Sequence, residues 1–331
     1  MNFSLIVCTY QRSESLLKLL ISVQEQSLYP DQILIIDGSE DDKTSKILEG
    51  RKFLNLEYFK VGAKHRGLTK QRNYGVCQLA ESTEIVCFLD DDIILEKDYF
   101  KNLIQTYQLY PNAVGVSGYI INEAEWKRKS KSEVSSKEFY FAGYSRIEGS
   151  RFQFRRKFGL APDCAPGYMP DFSHGYSVGF LPPSGKIYEV EMLMGGIASY
   201  KKHLFKTIRF SPYFEGYGLY EDADFSLRAS KLGKLYVNTS AQLEHHHDSL
   251  GRPNQFKYGK MVVRNGYYVW KVKYPQPGVK AKFKWHATSF LLTLIRFSNF
   301  LTGPNRKDAL FESFGRCIGL WSLWWNSPSI K

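Results

Sequence analysis

Three consecutive carboxylates, Asp90-Asp91-Asp92, close an apolar run, Ile85-Val86-Cys87-Phe88-Leu89, that reads as a buried strand. Like charges at the end of such a strand repel one another and lose solvation unless a cation sits between them. The matching guest is a hard divalent ion, Mn2+ or Mg2+, which prefers oxygen ligands and keeps phosphate oxygens as partners. That chemistry points to a phosphorylated, nucleotide-linked substrate. Taken alone the run fits a solvated acidic turn equally well, so the weight falls on what else the chain offers.

Four further groups of residues could do chemistry. Asp37, in Asp37-Gly38-Ser39, could accept hydrogen bonds from a base or ribose; the plain alternative is an Asx turn. Arg72 and Asn73 fall near the start of a helix, where an arginine suits a diphosphate, or else faces solvent. In Glu221-Asp222-Ala223-Asp224-Phe225, the Asp224 and Arg228 pair has helical spacing. Asp222 shares the inward face with Phe225 and Ala229, which makes it a candidate general base. Finally, Ala241, Leu243, His245 and His247 share one face of an extended segment. One imidazole, from His245 or His247, could complete the metal shell begun by the Asp run. The spacing of the three adjacent histidines is wrong for a self-contained zinc site, and at least two are expected to be structural.

These residues need a scaffold, and the first half of the chain supplies alternating elements. Strands are expected over 3–8, 32–37, 54–59 and 84–89, and helices over 13–26, 41–49, 69–81 and 96–110, with Ser13 as an N-cap. Strand and helix in alternation imply an α/β fold with a mostly parallel, wound sheet. Ligands bind such sheets beyond the carboxyl ends of the strands, where Thr9, Tyr10, Asp37 and Asp90 to Asp92 all fall. The pattern breaks over 122–186, read as an insert or loops over the active face. It resumes with 187–193, a helix over 221–232 and a strand over 234–238. The expected organisation is 1–121 as nucleotide-binding half, 122–186 as insert, 187–254 as the half that carries the candidate base, and 255–331 as a basic, aromatic helical tail.

Composition narrows the function class. A hydrophobic content of 43% with 24% charged residues implies a packed core. The net charge of +12 is concentrated in the tail: from Lys257 onward thirteen Lys and Arg face only Asp308 and Glu312. An acidic partner is implied. No zinc-finger, helix-turn-helix or RNA-recognition signature supports nucleic acid, which leaves an anionic membrane surface as the candidate. Within 285–301, Arg296 interrupts the apolar residues, and no run is long enough to span a bilayer. An interfacial helix flanked by Lys280, Lys282, Lys284, Trp321, Trp324 and Trp325 is expected, with packing on the catalytic domain as the alternative. Met1 leads straight into a strand without a signal peptide, and Cys8, Cys77 and Cys87 read as buried thiols, so a cytoplasmic protein, peripheral on the inner membrane face, is expected.

In this order the segments resemble a family 2 glycosyltransferase of the GT-A fold. Ile6-Val7-Cys8-Thr9-Tyr10-Gln11-Arg12 resembles its first strand and nucleotide loop, and Ile35-Ile36-Asp37-Gly38-Ser39 its base-binding Asp segment, one residue short of the common form. Gly67 to Gly75 resembles its Arg-Asn-x-Gly segment, Phe88-Leu89-Asp90-Asp91-Asp92 its Asp-x-Asp motif, and Gly218 to Lys231 its Glu-Asp motif and following helix. The resemblance implies a wound, nucleotide-diphospho-sugar transferase-like sheet with a helical C-terminal extension. It implies an inverting transfer from a nucleotide-diphosphate sugar to a glycan or lipid-linked glycan acceptor, with Mn2+ or Mg2+. Thr9, Tyr10, Arg12, Asp37, Arg72, Asn73, Asp90 and Asp91 would then hold the donor, Asp92 with His245 or His247 the metal, and Asp222 would be the base. A sugar-phosphate nucleotidyltransferase is the alternative enzyme, disfavoured because 9–15 contains no glycine. A non-catalytic carbohydrate-binding protein on the same fold is the alternative outside enzymes.

Overall fold

The computed structural model describes residues 1–247 and 253–330. Two compact units emerge, Met1–Ala124 with Leu181–Gly251, and Glu125–Phe180 with Arg252–Lys331.

The first unit is built on a nine-stranded sheet among the described residues. Its strands are β1 (Phe3–Thr9), β2 (Gln32–Asp37), β3 (Leu56–Lys60), β4 (Ile85–Asp90), β5 (Ile93–Leu95) and β6 (Ala113–Ile120), and, after the second unit's strands, β10 (Ile187–Val190), β11 (Ala198–Lys201) and β12 (Lys234–His245). The order is β10-β12-β6-β11-β4-β1-β2-β3, with β5 paired to β12. β1 to β4 pair in parallel, as do β6 and β12; β11 lies antiparallel between β4 and β6, so those two share a direction. Only β5, β10 and β11 run against the rest. The expected wound, mostly parallel sheet is present, with antiparallel additions.

Both faces of the sheet are covered, which is why its strands read as unbroken apolar runs. The helices are α1 (Ser13–Gln24), α2 (Lys43–Glu49), α3 (Leu68–Cys77), α4 (Tyr99–Leu109) and, later in the chain, α6 (Glu221–Ala229). Phe3, Leu5 and Val7 of β1 join Leu16 and Leu20 of α1 and Phe100 of α4 in one core. Ile6 and Ile36 face the other way, against Gly75 of α3, where an added Cβ would come within 2.9 Å of Ile6. That glycine lets α3 lie close on β1 and β2.

Several local expectations need correction. Ser13 is the first residue of α1 rather than its cap; Arg12 holds the cap position, with no side-chain cap bond. α3 ends at Cys77, and that cysteine is exposed, while Cys8 is only partly covered and Cys87 is buried. β12 does not stop at Asn238 but continues to His245 through an irregularity between Val237 and Gln242.

In the second unit, β7 (Lys127–Arg128), β8 (Glu138–Phe141) and β9 (Tyr144–Ile147) form a small antiparallel sheet beside α5 (Ser150–Lys157). Residues 255–330 supply α7 (Gln255–Lys273), α8 (Val279–Thr302) and α9 (Arg306–Ser322). Gly259 and Gly315 let α7 and α9 approach at backbone distance, since a Cβ at either would overlap the other helix's main chain. Trp270 stacks on Trp285 at 5.7 Å, and Glu312 of α9 accepts from both Arg296 and Arg316. No described helix is long and apolar enough to cross a membrane.

Candidate functional site

Parallel pairing sets the stage. Thr9 lies level with Asp37 and Cys8 with Asp90, so three strand ends open on one edge of the sheet.

The three adjacent aspartates have different surroundings. Asp91 is 3% exposed; its carboxylate accepts from Thr9 Oγ1 at 2.6 Å and from Arg12 at 3.1 Å. Burial pushes its carboxyl up to about 7, against the pull of Thr9 and Arg12. Asp92 receives Arg12 at 3.4 Å and His245 Nε2 at 3.1 Å. Asp90 is the open member, its side chain 39% exposed, with Arg72 3.5 Å away. Thr9 and Arg12 therefore serve the Asp run itself.

β5 and β12 bring His245 to this place, because Ile93 pairs with His245 directly after the aspartates. Asp90, Asp92 and His245 each offer a ligand atom, all within 4.8 Å of one another. Two carboxylates and an imidazole fit Mn2+ or Mg2+. Burial works to lower the His245 imidazole, but hydrogen bonds to Asp92 and Glu123 outweigh it and raise it to about 10. His247 instead approaches Glu123, at 3.2 Å.

A second set of residues surrounds a single 3-10 turn, Gly195–Ile197. Arg72 is 2% exposed and lies over the rings of Phe88 and Phe210 at 5.6 and 5.3 Å. It ion-pairs with Glu221, donates to Gly195 O at 3.2 Å, and reaches Asp90. Gly195 N–H donates to Asp222 Oδ2 at 3.2 Å, and Ala223 N–H to Asp222 Oδ1 at 2.8 Å. A side chain on either glycine would force a neighbour to shift. A Cβ on Gly195 would lie 2.6 Å from Glu221 Oε1 and 2.7 Å from Asp222, and one on Gly196 would overlap the Asp90 carboxylate. The turn thus has Asp90 against one glycine and Asp222 against the other. Burial raises the Asp222 carboxyl above its ordinary value, opposed by those two backbone donors. Burial likewise pushes Glu221 above the usual carboxylate range, against the pull of Arg72. Tyr220, immediately before, holds a left-handed φ of 69°, a strained conformation for a bulky residue.

The remaining sequence-derived residues have defined partners. Asp37 is fully buried, accepting from Tyr58 Oη at 2.9 Å and Ser39 N–H at 2.7 Å. Asn73 clamps the Phe210 backbone, donating to its carbonyl at 2.8 Å and accepting from its N–H at 3.1 Å. Tyr10 lies under the Arg66 guanidinium, 5.7 Å from it. Asp224 pairs with Arg228 along α6. Sequence reasoning passed over Glu221 and Glu123 as site residues. Glu221 carried a signal in its place beside Asp222, whereas Glu123 carried none.

Comparison with known proteins agrees with this architecture. A structure of GalNAc-T7 with UDP, GalNAc and Mn2+ superposes with a TM-score of 0.52 at 13% identity, covering 86% of this chain and 53% of that one. At such identity the likeness speaks for the fold, a GT-A type sheet carrying C-terminal helices in this chain. Two curated relatives are similar in sequence. A glucosyl-dolichyl phosphate glucuronosyltransferase of Haloferax volcanii is 28% identical over 43% of this chain and 44% of its own length. The O-antigen chain rhamnosyltransferase RfbN of Salmonella typhimurium is 27% identical over 31% and 32%. The chain thus spans less than half the length of either relative. The profile of glycosyl transferase family 2 matches residues 4–174, more than half of the 331 residues and inclusive of every strand end that carries an Asp, and the chain belongs to that family.

Proposed function

We propose that the chain is an inverting glycosyltransferase that moves a sugar from a nucleotide-diphosphate sugar to an acceptor hydroxyl in the synthesis of a cell-surface polysaccharide or glycolipid. The observation that carries this reading is the Gly195–Ile197 turn, with Asp90 packed against one glycine and Asp222 against the other. One carboxylate belongs to a cation-binding set and the other to a half-buried, more basic position, as donor activation and acceptor deprotonation require.

Asp90, Asp92 and His245 would hold Mn2+ or Mg2+, and a bound dication supplies positive charge against the departing diphosphate. Thr9 and Arg12 fix the Asp run, so that Asp90 and Asp92 keep their orientation while the charge distribution changes. Asp222 takes the acceptor hydroxyl proton on its carboxylate, which the N–H groups of Gly195 and Ala223 hold in place. Arg72 and Glu221 keep the turn and both flanking carboxylates in register. Direct displacement inverts the anomeric centre, with no second carboxylate needed as a nucleophile.

The relatives' names, one acting on a glucosyl-dolichyl phosphate and one on an O-antigen chain, support a lipid-linked or glycan acceptor here. Docking of the basic, aromatic tail on the cytoplasmic face of an anionic membrane fits such an acceptor. The test is release of nucleoside diphosphate from a panel of nucleotide sugars with Mn2+, after a thermal-shift screen of the free nucleotides. Stabilisation by at least one nucleoside diphosphate, dependent on Mn2+, is expected. Absence of both stabilisation and release across the panel would defeat the reading.

A further inference from the structure

The donor atoms around His245 fall into two groups. Asp90, Asp92 and His245 form one, and Glu123, His245 and His247 form the other; within each group the ligand atoms lie within 4.8 Å of one another. His247 belongs only to the second. Its ring centroid is 3.9 Å from that of His245, as residues two apart on one face of an extended chain allow. Glu123 comes from the loop after β6, and its neighbour Asn122 ties that loop to the strand. Asn122 Nδ2 donates to His245 O and His245 N–H to Asn122 Oδ1, both at 3.0 Å. Glu123 Oε1 then lies 3.3 Å from His245 Nδ1 and 3.2 Å from His247 Nε2. The side chains of Glu123 and His247 are 36% and 56% exposed, so an ion can reach them.

We propose that Glu123, His245 and His247 form a second cation site, separate from Asp90–Asp92–His245, that takes a first-row transition dication such as Zn2+. Two imidazole nitrogens and one carboxylate oxygen are the donors such ions select, and they leave a fourth position open. The spacing of the three histidines alone does not make this site; Glu123, far away in sequence, completes it. The carboxylate-dominated set suits a harder ion.

The two sites share one imidazole. A neutral imidazole gives a metal one nitrogen and carries a proton on the other. A zinc-type ion on Nδ1 therefore turns Nε2 into an N–H donor toward Asp92 and withdraws His245 from the first set. The two ions are antagonists at His245. That antagonism rests on the proposed donor site, whereas binding at Glu123 does not.

The test is calorimetric titration of the full chain, without nucleotide, with Zn2+ and separately with Mn2+. Cys77→Ser and Cys317→Ser are included in every sample, because those exposed thiols are independent zinc ligands. One Zn2+ is expected to bind, with affinity reduced on the order of tenfold or more by Glu123→Gln and by His247→Ala. Asp90→Asn and His246→Ala should leave Zn2+ affinity within about twofold, well inside the loss expected for a ligand. Mn2+ should show the reverse, weakened by Asp90→Asn and indifferent to His247→Ala. Zn2+ affinity that ignores Glu123→Gln and His247→Ala, or that falls equally in Asp90→Asn, overturns the site. An Mn2+ response indifferent to Asp90→Asn, with the zinc results as expected, counts against the donor site alone.

Discussion

Asp90, Asp91 and Asp92 are neighbours in sequence with three environments, and single substitutions should separate them. Asp92→Asn replaces a carboxylate facing His245 with an amide, a poor ligand for a hard cation. Most activity and metal-dependent nucleotide affinity should be lost; full activity in EDTA-washed, Mn2+-restored buffer would sink the assignment. Asp222→Asn should retain nucleotide affinity and lose turnover on the order of 100-fold or more. Burial raises the Asp222 carboxyl, and the ionised form is the active base, so turnover should fall as pH drops through that raised value. The acid limb of a kcat profile should therefore lie above the ordinary aspartate range. An acid limb at the ordinary range, or one that persists in Asp222→Asn, would remove Asp222 from that role. At this scale the sequence made residue types legible and their partners not. Asp37 was readable as a strand-end carboxylate and its bond from Ser39 N–H as an Asx turn, but its closure by Tyr58 depends on the pairing of β2 with β3.

Among elements, the Gly195–Ile197 turn is the most sensitive. Gly196→Ala forces a methyl into the space of the Asp90 carboxylate. The turn or Asp90 must move, so metal affinity and turnover should drop together while the unfolding midpoint stays close to that of the native chain. A variant with native metal affinity would show that the turn has room. Glu221→Ala tests the tie between α3 and α6. It leaves the Arg72 guanidinium buried without its main counter-charge, and losing one member of a buried pair costs about 3–5 kcal/mol. Urea unfolding should show this as a lower midpoint, and an unchanged midpoint would mean that Asp90 and Gly195 suffice for Arg72. The pair spans 149 residues and leaves no local pattern in the sequence. The early strands were legible because both sheet faces are covered and apolar residues run unbroken. β5 was not, being three residues long. The far half of β12 was legible as an extended segment, but its continuity with 234–238 was not, since Thr239 is held by donating twice to Lys186 O, a partner distant in sequence.

On the whole molecule, apolar exposure is concentrated on two helices. Phe283, Phe290, Leu294 and Phe297 follow one face of α8, and Phe311, Phe314, Ile318 and Trp321 one face of α9, with Trp324 82% exposed beyond it. Exposed patches of this kind mark binding surfaces, and the nearby lysines favour an anionic one. Each basic residue adds about 1 kcal/mol near such a surface. Co-sedimentation with liposomes should require anionic lipid, weaken with salt and vanish on truncation before Lys280. Equal recovery in the supernatant with and without anionic liposomes would defeat the idea. The order in which the chain is made bears on the sheet as well. β4 and β6 are neighbours only through β11, which is synthesised roughly 80 residues after β6. At typical elongation rates that interval is about 4–16 seconds. Throughout it both edges of β6 and one edge of β4 lack their partners, and open strand edges are the form most prone to pair with a stranger. Until Ala198–Lys201 is made, β4 and β6 have no partner on the edges that it will join.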